Sequence, residues 1–336
     1  MRAVGLIVML LIVASCGVAS APRPVATDVC RLPVWWGEPE DITPQFIHAA
    51  FIGVPSGKIS DAGRLPAPTY TEFEPVPAQF AAASYLSSGA TWLRLNRTLL
   101  SPDGTQFVYW TYATAGQAPA IYELHVVTVA ARDDRVIYRG AAKDVYLPMA
   151  FESGAIYLGH QVLNLKSNQL VVDSLYVIKP EGGSLNLVPG SGLPNTASGW
   201  SLISDGAAWE VEWNGGVSHS SVYRLDLTTH AVSDWYDTPS GIFEVSAQGV
   251  DTQGRLYVSY EGHLVRVDRP GMDVELPPPP GFTSGSAGWP PLFEADRLGA
   301  WFARGNGVWL YPAQGDPQHY PVGLTRNIVY PAGPCT

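Results

Sequence analysis

Two carboxylates bracketed by indoles, Trp209-Glu210-Val211-Glu212-Trp213, form the most suggestive local group in this chain. Paired carboxyl groups cleave glycosidic bonds, one as general acid and the other as base or nucleophile, at a separation that only three dimensions reveal. Strand alternation would put both acids on one face and both indoles on the other. A strand with one solvated and one packed face needs the same pattern, and this plainer use is the preferred reading.

Other reactive groups are sparse. An esterase-type nucleophile would sit in Gly-x-Ser-x-Gly. The nearest string, Ser284-Gly285-Ser286-Ala287-Gly288, lacks the first glycine and lies in a Pro/Gly-rich stretch. Seven histidines, His48, His125, His160, His219, His230, His263 and His319, show no His-x-x-x-His pairing of the kind that announces a zinc site. His125 alternates with apolar neighbours and His230 falls in a turn, so both read as structural. The acids Asp103, Asp205, Asp251 and Asp296 recur next to glycines. Bonds to their own turns are the expected role, and no EF-hand calcium loop is present. Asn96-Arg97-Thr98 matches a glycan acceptor sequon without further support. No catalytic residue, metal ligand or cofactor is assigned on these grounds.

The elements that must position any site follow from composition and repetition. Only 15% of the 336 residues are charged, while 34 Gly and 29 Pro favour strands and turns over helices. The formal charge of −10 argues against a phosphate-binding surface, so nucleic acid is not an expected partner. An acidic or Ser-containing turn with Gly, followed by an aromatic-rich strand, occurs five times, with its glycines at Gly104, Gly154, Gly206, Gly254 and Gly299. Each turn is followed by further alternating segments, so a repeat reads as four short strands. A four-stranded unit of about 45 residues is a propeller blade, which buries its faces only against neighbouring blades.

Five blades are visible, and a sixth is split between the chain ends: Ile328-Val329-Tyr330 as its inner strand, Pro33 to Trp36 next, then Phe46 to Val54 and Lys58 to Asp61. The expected fold is thus all-β, a single propeller over residues 30–336 closed by a split N/C-terminal blade. Seven blades stay open, because Leu65 to Ser88 is poorly patterned; that segment reads as a surface excursion.

The N-terminus carries Arg2, an apolar run from Val4 to Val13, and Ala14-Ser15, the parts of an export signal. The run is shorter than the ~20 residues of a spanning helix. Val13-Ala14-Ser15-Cys16 resembles the lipobox of bacterial lipoproteins. That resemblance implies a signal over 1–15, lipid on the Cys16 thiol, a tether over 16–29, and an extracytoplasmic protein held at the membrane. A plain signal cleaved near Ala19 to Ala21 is the alternative. Export places Cys30 and Cys335 where disulfides persist, which suggests a clasp between the chain ends. Closing a loop of about 300 residues is worth about 4 to 5 kcal/mol in the chain-entropy picture.

Ser101-Pro102-Asp103-Gly104-Thr105-Gln106-Phe107-Val108-Tyr109 resembles the repeat of TolB-like propellers, relatives of the WD-repeat class. The other four copies are degenerate, so the resemblance covers architecture and transfers no site. Aromatics near the starts of the inner strands, Trp92, Tyr146, Trp200, Phe243, Trp289 and Tyr330, are the candidate ligand contacts, at one mouth of the central channel. A non-catalytic binding module for an envelope protein or glycan is the first functional expectation. An extracytoplasmic enzyme, processing glycans or cleaving a lactone or ester, is the second.

Overall fold

Four of the five recurring turns join the first and second strands of a blade, and their backbone explains the glycine. At Ser153-Gly154 and Asp205-Gly206 both central residues are left-handed, with φ of 53° and 73° in the first pair and 54° and 70° in the second. Such turns match the twist of the strands they connect. Asp103, Asp251 and Asp296 instead accept a hydrogen bond from the amide two residues on, at Thr105 (3.0 Å), Gln253 (2.9 Å) and Leu298 (2.7 Å). Their recurrence therefore has a backbone cause.

The computed structural model describes residues 27–37, 46–66, 82–113, 121–141, 145–164, 169–192, 199–212, 219–242, 245–277, 293–324 and 328–336. Cys16, Trp213, Phe243, the Ser284 to Gly288 string and Trp289 lie outside them, as does the side chain of Glu212.

Six antiparallel blades form a propeller. Blade I orders Tyr330–Pro331, Cys30–Gly37, Phe46–Val54 and Ile59–Pro66 from the inside outwards. Blade III consists of Val145–Glu152, Ala155–Asn164, Gln169–Ile178 and Asn186–Leu187. Blade IV follows with Gly199–Ser204, Ala207–Glu212, Ser221–Asp226 and Val232–Asp237. Blade V holds Ser246–Val250, Leu256–Tyr260, His263–Arg269 and Met272–Leu276, and blade VI holds Phe293–Asp296, Gly299–Arg304, Gly307–Pro312 and Gln318–Pro321.

Blade II departs from the four-strand expectation. Gln106–Ala113, Ile121–Thr128 and Asp133–Ala141 make a three-stranded sheet. A single bridge between Leu100 and Phe107 stands at its inner edge. The cause is local: the Asn96 side chain accepts from the Thr98 amide, and Arg97–Leu99 turns into a short 3-10 helix where the ladder would continue.

The supposed surface excursion is also corrected at its end. Ser84–Leu86 pairs with Thr91–Leu93, and Ala83, Ser84, Tyr85 and Leu86 are all buried. Small side chains let this hairpin lie close under blade I, where Ala82, Ala83 and Tyr85 join Trp35, Ile47 and Ala332 in one apolar cluster. The Tyr85 amide donates to the Ala332 carbonyl at 2.8 Å. Residues 67–81 lie outside the described set.

Packing between neighbours supplies the core. One cluster joins blades II and III through Tyr122, Leu124, Ile156 and Leu158. Others join III to IV through Leu175 and Trp200, IV to V through Trp209 and Val258, V to VI through Tyr257 and Phe302, and VI to I through Trp301 and Ile52. Burying each such side chain is worth about 1.5 to 3 kcal/mol, so these five junctions hold neighbouring blades together.

The ring closes as expected. Val34 and Trp35 pair with Pro331 and Tyr330, Arg31 and Thr336 exchange backbone hydrogen bonds at 2.9 and 3.0 Å, and a Cys30–Cys335 disulfide spans 305 residues of sequence.

Candidate functional site

The ends of the inner strands converge on a cavity of ≈ 710 Å³. Blades II to VI contribute Arg97, Glu152, Ser201, Gln248 and Glu294 in turn, and blade I contributes Pro331. Three of these inner strands share a device. Pro148 and Ala150 pair with Leu158 and Tyr157, Trp200 and Leu202 with Glu210 and Trp209, and Ala247 and Gly249 with Val258 and Tyr257. Met149, Ser201 and Gln248 are thus extra residues, each a β-bulge three positions before Glu152, Ser204 or Asp251. Bulges redirect side chains and cluster near functional sites. Ser201 and Gln248 both line the cavity.

The lining is rich in hydroxyl and carboxylate groups, with Asp103, Glu152, Asp205, Asp251 and Glu294 beside Ser87, Ser101 and Thr252. Arg97 is the one basic side chain among the described lining residues. Its Nε lies 3.2 Å from Glu294 Oε2. Glu294 keeps 14% of its side-chain surface exposed, and burial pushes its carboxyl up to about 7 despite the Arg97 charge. Glu152 is also raised, first by burial and then by the neighbouring Asp205, against the lowering effect of the Gly206 amide, which donates to Glu152 Oε1 at 2.5 Å. Asp251 is paired with Arg255 at 2.6 Å. Such an arrangement can hold a cation, bind polar ligands, or pass a proton near neutral pH.

A carboxyl raised on folding binds its proton more tightly in the folded than in the unfolded state. Its favourable contribution is complete below the unfolded value near 4.5 and is lost as pH rises towards about 7. Glu294→Gln should therefore flatten this part of the stability profile, and the variant should gain on the native protein between pH 5 and about 7. Urea unfolding across that range checks it; parallel profiles would reject the shifted carboxyl.

The described aromatic candidates lie elsewhere on the same ring. Trp92 packs against Phe51 and Tyr85 in the hairpin, and Tyr330 stacks on Trp35 at 4.5 Å. Tyr146 meets Tyr138 and Tyr176 edge-on. Trp200 is buried, with its Nε1 donating to the Ser191 carbonyl at 2.8 Å. None of the four lines the cavity, which draws instead on the later residues of the inner segments.

Glu210 corrects the one-solvated-face reading of its strand. It is 5% exposed beside Trp209 at 1%, because the second strand of a blade is covered on both faces by neighbouring blades. Trp209 packs edge-on against Trp235, with the Arg224 guanidinium over both rings. Three histidines make cross-strand pairs with acids: His125 with Asp134 at 3.0 Å, His160 with Asp173 at 2.9 Å and His263 with Glu275 at 2.6 Å. Among the described residues, no three His, Cys, Asp or Glu side chains are placed to hold a metal ion.

Sequence reasoning missed Arg97, Glu152, Ser201, Gln248 and Glu294. The available signal was positional: Glu152 stands immediately before its repeated turn and Glu294 two residues before Asp296, where inner strands reach the axis.

No family model matches the chain, and no curated protein matches it in sequence. Solved structures do. TolB from Acinetobacter baumannii superposes with a TM-score of 0.50 at 10% identity, over 92% of this chain and 68% of that one. A nidogen/laminin complex aligns at 0.47 and 10% identity, over 90% of this chain and 99% of that one, and an oligogalacturonate lyase in complex with manganese at 0.43 and 12%, over 84% and 74%. The likeness to TolB establishes the propeller fold.

Proposed function

We propose that this protein is an exported, lipid-anchored propeller that binds an envelope protein or glycan in its axial cavity without transforming it. The observation that carries this reading is the cavity itself, ≈ 710 Å³ where the inner segments converge, lined by hydroxyls and carboxylates on a rigid ring. The Val13-Ala14-Ser15-Cys16 motif supports the anchor. The Cys30–Cys335 disulfide is compatible with an oxidising compartment.

Two substitutions test it. Cys16→Ser should move the protein from the membrane to the soluble fraction; continued anchorage would refute lipid attachment. Ser201→Trp, which places an indole in the cavity, should abolish capture of the ligand from envelope extracts. Unchanged capture would put binding elsewhere.

An enzyme acting through Glu294 is the second reading, supported by a carboxyl held near 7 within a cleft. Substrate turnover that disappears in Glu294→Gln, with ligand binding retained, would favour it.

A further inference from the structure

The charges around the cavity are unevenly matched. Arg97 is committed to Glu294 and Arg255 to Asp251. Across blades III and IV, Glu152 and Asp205 have no Lys, Arg or His within ion-pair distance among the described residues, and the Asp205 charge raises the cost of charging Glu152. Asp205 is exposed and sits in the left-handed region, φ 54°, so the turn itself presents this carboxylate at the rim. A Cβ added at Gly254 of blade V would lie 3.2 Å from Asp205 Oδ2, which places that oxygen at the junction of two blades.

A second observation comes from the wall. Gln248, the bulge residue of blade V, is 7% exposed and lines the cavity. Its Nε2 donates to Ser259 Oγ at 2.8 Å and lies 3.5 Å from the Ser246 carbonyl, with the amide oxygen on the other side. Gln248 Oε1 is buried and accepts from no donor among the described residues. A buried acceptor without a donor carries a desolvation cost that an incoming N–H would relieve. Carboxylates at the rim attract positive charge, and the orphan oxygen in the wall selects a donor.

We infer that the axial cavity takes a ligand bearing cationic N–H donors, ammonium or guanidinium groups, held by Glu152 and Asp205 at the rim and by Gln248 Oε1 in the wall. This inference rests on reading the cavity as the ligand site. Gln248 lies within Ser246–Val250, ahead of the turn whose Gly254 approaches Asp205, so the wall position and the rim positions lie at different depths of the cavity. The ligand is therefore elongated, either a linear polyamine or a basic segment of a polypeptide.

Calorimetric titration of the full chain with spermidine, with pentalysine, and with its Nε-acetylated form tests the inference. Spermidine or pentalysine should bind, and the acetylated peptide should not. Binding of spermidine assigns the site to free amines, and binding of pentalysine alone assigns it to a polypeptide segment. Asp205→Asn and Glu152→Gln should each weaken binding about tenfold, the scale of one charge-assisted hydrogen bond. Asn tolerates the left-handed turn and Gln keeps an acceptor for the Gly206 amide, so neither variant should lose its fold. Gln248→Met should weaken binding by a similar factor. Asp316→Asn, which does not line the cavity, should leave it unchanged.

No binding of either amine, or equal losses with Asp316→Asn, overturns the inference. If capture of an envelope ligand remains sensitive to Ser201→Trp in that case, the cavity is still the ligand site and only its chemistry was misread. If spermidine binds as expected while that capture ignores Ser201→Trp, the cationic site stands and the reading of the cavity as the envelope site falls.

Discussion

Reducing the Cys30–Cys335 bond, or replacing Cys30 with Ser, should lower the melting temperature by about 8 °C. The bond closes a loop of 305 residues, and removing it frees the unfolded chain of that constraint. The chain-entropy picture assigns about 4 to 5 kcal/mol to such a loop, and a domain of this size converts each kcal/mol into less than about 2 °C. Backbone bonds between Arg31 and Thr336, and between Ala332 and Pro33, keep the closing strand in place when the sulfurs separate. The reduced ring should therefore stay folded at 25 °C while melting earlier. Scanning calorimetry with and without reductant measures the shift. A native protein indifferent to reductant would show that the clasp adds nothing, whereas the Cys30→Ser variant should show no response to it.

Asp296→Ala should cost about 3 to 5 kcal/mol, the other large effect. This carboxylate is 7% exposed and knits three parts of the fold together. Its Oδ1 accepts from the Leu298 amide at 2.7 Å, closing the turn of blade VI. Its Oδ2 accepts from Trp301 Nε1 at 2.9 Å, inside the interface with blade I, and from the Cys335 amide at 2.8 Å. Alanine leaves all three donors without an acceptor in a closed environment, and each carries its own desolvation cost. Asparagine keeps one oxygen and turns an NH₂ towards the remaining donors, so it should fall between alanine and the native residue. Urea unfolding gives the ranking. A loss under about 1 kcal/mol for alanine would mean that water replaces the carboxylate and that the turn does not bear on closure.

The blades were legible because their cause is local. Gly154 and Gly206 are demanded by two-residue turns, and the alternation from Leu256 to Tyr260 and from Gly307 to Tyr311 marks strands whatever lies beyond them. The split blade could be read from its ends, since Tyr330 had no other partner strand to complete. The hairpin at Ser84–Leu86 was hidden because its two strands are three residues each, too short to show a period of two. Gln248 and Ser201 were hidden for another reason: a bulge breaks the period of two on which strand reading depends. The charged part of the cavity assembles Arg97, Glu152 and Glu294 across distant stretches of chain. Their meeting is a property of the closed circle, invisible in any window of sequence.

The innermost strand of blade I, Tyr330–Pro331, follows all five other blades in sequence. Until Tyr330 emerges during synthesis, the edge of Cys30–Gly37 that it covers has no neighbour, and the flanking blades are joined only through the chain between them. Completion of the wheel thus waits on the segment around Tyr330. A polypeptide cut before Tyr330 would keep a bare sheet margin and a lone thiol at Cys30, two features absent from the closed ring.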